Sequence, residues 1–168
     1  MIKSFRNICF ILLLNYTCQV QAMGFLDVFK IVVFSEVSGV VTLDGSPVEG
    51  AEVVRVADHE EDKVYTDRTI TDNNGKFYFK EISVFSMRPL MLGTIIRQKI
   101  IIKYKEMEYL AWKTIKHNNH NYGELNDKGV ENPVKLNLLC ELTGDQEKFE
   151  IIQFATGKER ITGLCRWG

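Results

Sequence analysis

The stretch from Val37 to Ile82 constrains the fold more than any other part of the chain, because strand alternation and turn chemistry recur there at short range. It reads Val-Ser-Gly-Val-Val-Thr-Leu, turns at Asp44-Gly45-Ser46-Pro47, and continues Val-Glu-Gly-Ala-Glu-Val-Val. Val37, Val41 and Leu43 fall on one face of a first strand, and Gly39 sits where backbones can approach closely. A second strand is expected over Ala51–Ala57 and a third over Lys63–Thr71. Asp72-Asn73-Asn74-Gly75 then turns the chain into Lys76–Ile82. An Asn-Gly pair between such runs signals a hairpin, since both residues tolerate positive φ. Phe77 and Phe79 share the inward face of that last run, with Lys76, Tyr78 and Lys80 outward.

Further along, Ile100, Ile102 and Tyr104 alternate with Lys99, Lys103 and Lys105 within a strand at Ile95–Lys105, giving one buried and one wet face. Met107–Ile115 is apolar on both faces, as a central strand or one with a covered outer face would be. His117–Glu131 is the longest loop. Val134–Leu142 alternates cleanly and turns Cys140 into the core. Thr143 with Gln146 three residues on fits a capping box, Gly157 fits a helix stop, and Phe149, Ile152 and Ala155 lie on one helical face. These signals predict a C-terminal helix over 145–156, followed by a strand at Ile161–Trp167. No repeat, low-complexity tract or linker divides the chain, so residues 36–168 read as one domain.

Three motifs in this order carry a family resemblance: Gly39-Val40-Val41, Gly45-Ser46-Pro47-Val48-Glu49-Gly50-Ala51, and Thr71-Asp72-Asn73-Asn74-Gly75-Lys76-Phe77-Tyr78-Phe79. The chain here resembles the carboxypeptidase regulatory-like, transthyretin-like (prealbumin-like) β-sandwich domain. The resemblance covers about a third of the chain. It implies an all-β, seven-stranded Greek-key sandwich, here with a short N-terminal segment and an appended C-terminal helix. It also implies a domain that usually carries no chemistry of its own. One enzyme class, the transthyretin-like hydroxyisourate hydrolases, shares that fold, with His and Arg in its site and a Tyr-Arg-Gly-Ser ending. This chain ends Leu164-Cys165-Arg166-Trp167-Gly168 and has no counterpart of the N-terminal His motif near Val37, so the resemblance to that branch fails at its motifs.

Lys3 and Arg6 precede an apolar run at Ile8–Leu14, and Val20-Gln21-Ala22 places small residues before a cut after Ala22. Residues 1–22 therefore read as a signal peptide, with an uncleaved anchor as the alternative. The apolar run is shorter than the ~20 residues a spanning helix needs. Tyr16 and Asn15 suit lipoprotein processing at Cys18 poorly. Cleavage removes Lys3 and Arg6 and no acidic residue, so 21 Lys+Arg become 19 against 22 Asp+Glu, a net charge of −3. No basic surplus exists to neutralise phosphates, which argues against a nucleic-acid partner. Cys9 and Cys18 leave with the signal, and Cys140 and Cys165 remain as an even pair, expected to bond in an oxidising compartment. Two buried free thiols are the alternative. Residues 23–35 are apolar apart from Asp27, Lys30 and the Ser35 that ends them. Asp27 and Lys30 share one face of a short expected helix that either docks on the sandwich or meets a partner.

Candidate chemistry is sparse. His117 and His120, with Glu124 and Asp127 nearby, have helical ligand spacing but lie in an Asn-rich loop without a third ligand of defined spacing. His59-Glu60-Glu61-Asp62 lacks the zinc-peptidase pattern. Asp72-Asn73-Asn74-Gly75 lacks the Glu of a calcium loop, since residue 83 is Ser. No Ser elbow is present, and no cofactor is expected. Trp112 and Trp167 fit core positions better than interface anchors. The function expected is therefore non-catalytic: an exported, periplasmic protein-binding module, in its sharpest form an immunity protein that neutralises a toxin. Arg88, Tyr122 and Arg166 are the expected partner anchors. The alternative is an envelope-associated structural or carbohydrate-binding module.

Overall fold

A computed structural model of the chain describes residues 29–59, 63–85, 94–125, 134–153 and 157–168. The expected signal peptide, residues 23–28 of the apolar N-terminal segment, Arg88 and Asp127 lie outside them. The described residues are all β, without a helix, and hold thirteen strands in three sheets.

The first large sheet is built on β2 (Val37–Leu43). The short β3 (Ser46–Pro47) and β6 (Lys76–Phe79) both pair antiparallel along one of its edges. On the other edge lies β10 (Leu136–Glu141), parallel to β2, and beyond it β13 (Cys165–Trp167). The second large sheet runs β11 (Glu147–Gln153), β12 (Gly157–Gly163), β9 (Met107–Lys116), β8 (Ile96–Tyr104), β4 (Glu52–His59), β5 (Val64–Ile70). A separate ribbon joins β1 (Lys30–Phe34) to β7 (Ile82–Phe85).

The two large sheets form a sandwich-like core. Val37, Val41, Phe77, Phe79, Leu136 and Leu138 from one sheet join Val53, Ala57, Ile100, Ile102 and Trp112 from the other in a single buried cluster. Each fully buried large aliphatic or aromatic side chain contributes on the order of 1.5–3 kcal/mol. Phe77 and Phe79 point inward and Tyr78 outward, as their alternation requires. In β9 a bulge opposite Ile100/Ile101 breaks strict alternation, so Ala111 and Trp112 are both buried. Trp112 packs edge-on against Trp167, with ring centroids 5.7 Å apart.

The turn between β5 and β6 does not close the expected hairpin: β5 pairs with β4 in one sheet and β6 with β2 in the other, so the turn carries the chain between the sheets. It is held by Asp72. Its carboxylate accepts the N–H groups of Asn74 (2.9 Å) and Lys76 (2.8 Å), and its carbonyl accepts the Gly75 N–H. Gly75, but not Asn74, takes positive φ, at 70°. Gly39 meets the second close approach: a Cβ there would lie 2.7 Å from the Leu138 carbonyl oxygen of the parallel strand.

Three further expectations are corrected. The segment predicted as a helix over 145–156 contains β11, which pairs residue by residue with β12 from Glu147↔Gly163 to Gln153↔Gly157. The i, i+3 spacing of Phe149 and Ile152 coexists with a Phe-Glu-Ile alternation, and a ready antiparallel partner decides for the strand. Thr143 caps nothing. Its hydroxyl donates to the Glu141 carboxylate at 2.8 Å, and Gly157 opens a strand instead of ending a helix. The expected final strand is two, since the chain leaves one sheet at Gly163 and enters the other at Cys165. In the N-terminal segment the expected helix is replaced, from Lys30 on, by β1, whose Ile31, Val32, Val33 and Phe34 are all buried.

Candidate functional site: a buried polar cluster holding the first strand

Alternation along the six-stranded sheet decides which side chains enter the interior. Arg55 and His59 lie in step with Val53 and Ala57 on β4, Gln98 with Ile96, Ile100 and Ile102 on β8, and Thr114 and Lys116 with Trp112 on β9. Registry sets Gln98 opposite both Ala57 and Thr114, and Lys116 opposite Ile96. One end of the interior is consequently polar, and its groups are sealed from solvent: Arg55, Lys116 and Glu124 are each 0% exposed. Such groups persist only when hydrogen-bonded or paired.

Glu124 is the centre of the cluster. It arrives from the loop after β9, where Tyr122 takes a left-handed φ of 55°. Its carboxylate accepts the Ser35 N–H (3.0 Å), the Ser35 hydroxyl (2.7 Å), the Gln98 amide (3.1 Å) and the Lys116 ammonium (3.4 Å). Lys116 also donates to the Val32 carbonyl at 2.9 Å and Gln98 to the Val33 carbonyl at 2.8 Å. Arg55 donates to the Ser35 carbonyl at 3.2 Å and to Asp67 at 2.5 Å. Its guanidinium lies over the rings of Phe79 (4.7 Å) and Phe34 (5.0 Å), so the cation is neutralised on one side and stacked on the others.

Burial alone would raise the Glu124 carboxyl. The Lys116 charge, the two Ser35 donors and the Gln98 amide outweigh it and hold the group below the ordinary carboxylate range. Burial lowers the Lys116 ammonium, and Glu124 opposes that shift. Ser35 is not presented as a nucleophile: its hydroxyl proton is given to Glu124, its oxygen accepts the Tyr122 N–H at 2.7 Å, and the residue is 0% exposed. Gln98 Oε1 and Thr114 Oγ1 are buried without a protein partner. The arrangement binds backbone; it does not offer a reacting atom to solvent.

The sequence-predicted residues fall elsewhere. Cys140 and Cys165 are bonded, directly opposite each other on β10 and β13. Tyr122 is half-buried and serves the cluster through its backbone. Arg166 is exposed on the outer face of the five-stranded sheet, beside Leu139 and ion-paired with Glu147. That face carries an open groove of about 700 Å³ lined by Val40, Lys76, Tyr78, Asn137 and Leu139, with Ile70 at its margin. Leu139, Ile70 and Tyr78 are exposed. Among the described residues, no group of three or more His, Cys, Asp or Glu could hold a metal ion. No helix of the described residues is long and apolar enough to cross a membrane.

Sequence reasoning missed Ser35, Arg55, Gln98 and Lys116 and met Glu124 only as a neighbour of the loop histidines. The available signal was that Arg55, Gln98 and Lys116 keep step with apolar neighbours on their strands.

No curated protein and no solved structure matches the chain. One family does, described as "Domain of unknown function (DUF6795)", over residues 37–145. That span runs from the start of β2 to just past β10 and holds Arg55, Gln98, Lys116 and Glu124, while β1, β11, β12 and β13 lie outside it. With well over half of its residues matched, the chain belongs to the DUF6795 family.

Proposed function

We propose that this protein is an exported, non-catalytic protein-binding module with a transthyretin-like, carboxypeptidase regulatory-like sandwich as its scaffold, working in the periplasm after loss of residues 1–22. Its sharpest form is an immunity-type protein that covers a toxin. The observation that carries the reading is a division of labour among side chains. Arg55, Lys116 and Glu124 are buried and committed to holding β1 and the Ser35 that follows it, whereas Leu139, Tyr78 and Ile70 stand exposed around a groove with Lys76. Apolar and aromatic anchors inside a polar rim, here with Asp72, Lys76 and Asn137, are what protein interfaces use. One further feature supports the compartment: Cys140 is bonded to Cys165.

The test is capture from periplasmic extract with wild-type bait beside a Leu139→Asp bait. A partner held by the first and lost by the second supports the reading, provided that the bait recovered from the periplasm begins at Met23. Replacing both His117 and His120 by Ala should leave the biological activity intact. A folded but inactive double variant would overturn recognition without turnover.

A further inference from the structure

β1 is held as an extended peptide ligand is held. One of its edges pairs with β7. Its carbonyls at Val32 and Val33, and that of Ser35 just after it, receive Lys116, Gln98 and Arg55, three long side chains from three different strands. The N–H and hydroxyl of Ser35, the residue after β1, go to Glu124, and the Val32 N–H goes to the Asn119 carbonyl at 3.0 Å. Between strands of one sheet such partners are backbone groups. Here side chains perform most of that work, and they form a site independent of any one strand's sequence. Selectivity would come from two positions: Phe34, whose ring stacks on Arg55, and Ser35, whose hydroxyl meets Glu124. The receptor side chains all lie inside the family span and the strand that fills them lies outside it, joined to β2 by Ser35 and Glu36 alone.

We infer that Arg55, Gln98, Lys116 and Glu124 line a cleft for an extended peptide, filled in cis by residues 30–35. The ligand class is an apolar β-strand segment of another protein that ends in an aromatic residue followed by a hydroxyl residue. It adds beside β7 as β1 does. β1 is then a tethered pseudo-ligand. Its high effective concentration weakens any competing segment in proportion to the time the cleft stays filled. This inference goes beyond the proposed function and does not rest on it, because the cleft and the outer groove share no residue.

The experiment uses the full chain carrying Phe34→Ala and Ser35→Ala, which loosens β1, and a labelled synthetic peptide of residues 29–36. Saturable binding is expected, with a rise in melting temperature. A scrambled peptide should not bind, and adding Glu124→Gln to the protein should weaken capture at least about tenfold, the scale of one lost charged hydrogen bond. No saturable binding up to millimolar peptide, with the variant still folded, overturns the inference. Should the variant not fold, hydrogen exchange on the wild-type chain decides. The Val32 and Ser35 amides should exchange through a local opening, at least about tenfold less protected than those of Ile100 and Trp112. Equal protection would mean that β1 leaves only on global unfolding, and that a peptide site does not exist.

Discussion

Replacing Glu124 by Gln keeps the size of the side chain and removes its charge at the point where four donors converge. The buried Lys116 ammonium loses its counter-ion, and the new amide turns a donor toward groups that are themselves donors. Breaking a buried pair from one side costs about 3–5 kcal/mol. Glu124 also opposes the lowering that burial imposes on the Lys116 ammonium, so its loss should cost at least the lower end of that range, about 3 kcal/mol. For a chain of this size that corresponds to a fall in melting temperature of about 6–12 °C. The assay is urea unfolding with the disulfide intact, comparing midpoints at unchanged m. A cycle with Lys116→Met isolates the pair: the double variant should recover at least about 1 kcal/mol relative to the sum of the singles. A loss within about 0.5 kcal/mol for Glu124→Gln, or strict additivity, would refute the reasoning.

Gly75→Ala forces a side chain onto a φ of 70° and places a Cβ 2.3 Å from the Val41 carbonyl oxygen, so a thermal melt should show a loss above ~1 kcal/mol. The Cys140–Cys165 bond joins residues 25 apart, and its reduction should cost about 3 kcal/mol. Non-reducing peptide mapping should find the linked pair, and two freely alkylatable thiols in the native protein would contradict it. Glu141 anchors the turn after β2 by accepting the Asp44 and Gly45 N–H groups at 2.8 and 3.0 Å. Slight burial pushes its carboxyl up, but the Thr143 hydroxyl, the Gly45 N–H and further donors bring it down to about 2. A depressed carboxyl stabilises above its ordinary value of ~4.3 and loses that effect as pH falls through the folded value. The stability gap between wild type and Glu141→Ala should therefore be full near neutrality and close as pH falls toward about 2.

What could be read from the chain was what neighbouring residues determine. The Asp72–Gly75 turn, the inward Phe77 and Phe79, and the alternation that buries Leu136, Leu138 and Cys140 all rest on contacts a few residues away or on period two. The segment after Gly144 was ambiguous because its apolar spacing suits a helix face as well as a strand, and only the pairing of β11 with β12 resolves it. The polar cluster was out of reach for a stronger reason. Glu124 finds Ser35 across 89 residues of sequence, and Arg55, Gln98 and Lys116 converge on β1 carbonyls that have no side-chain signature. In-step polar residues on three strands can mean a wet face or a buried network. The choice is settled by what covers them.

An ionised Glu124, fully enclosed, organises the hold on the first strand. The most direct test of this is the pH titration of the Glu124 side-chain carboxyl followed by carbon NMR on the folded protein. The account predicts a midpoint below the ordinary ~4.3, with no protonation step between about pH 5 and 8. A midpoint above the ordinary value would mean that burial outweighs Lys116 and Ser35, that the carboxyl is neutral at physiological pH, and that the cluster does not work as described.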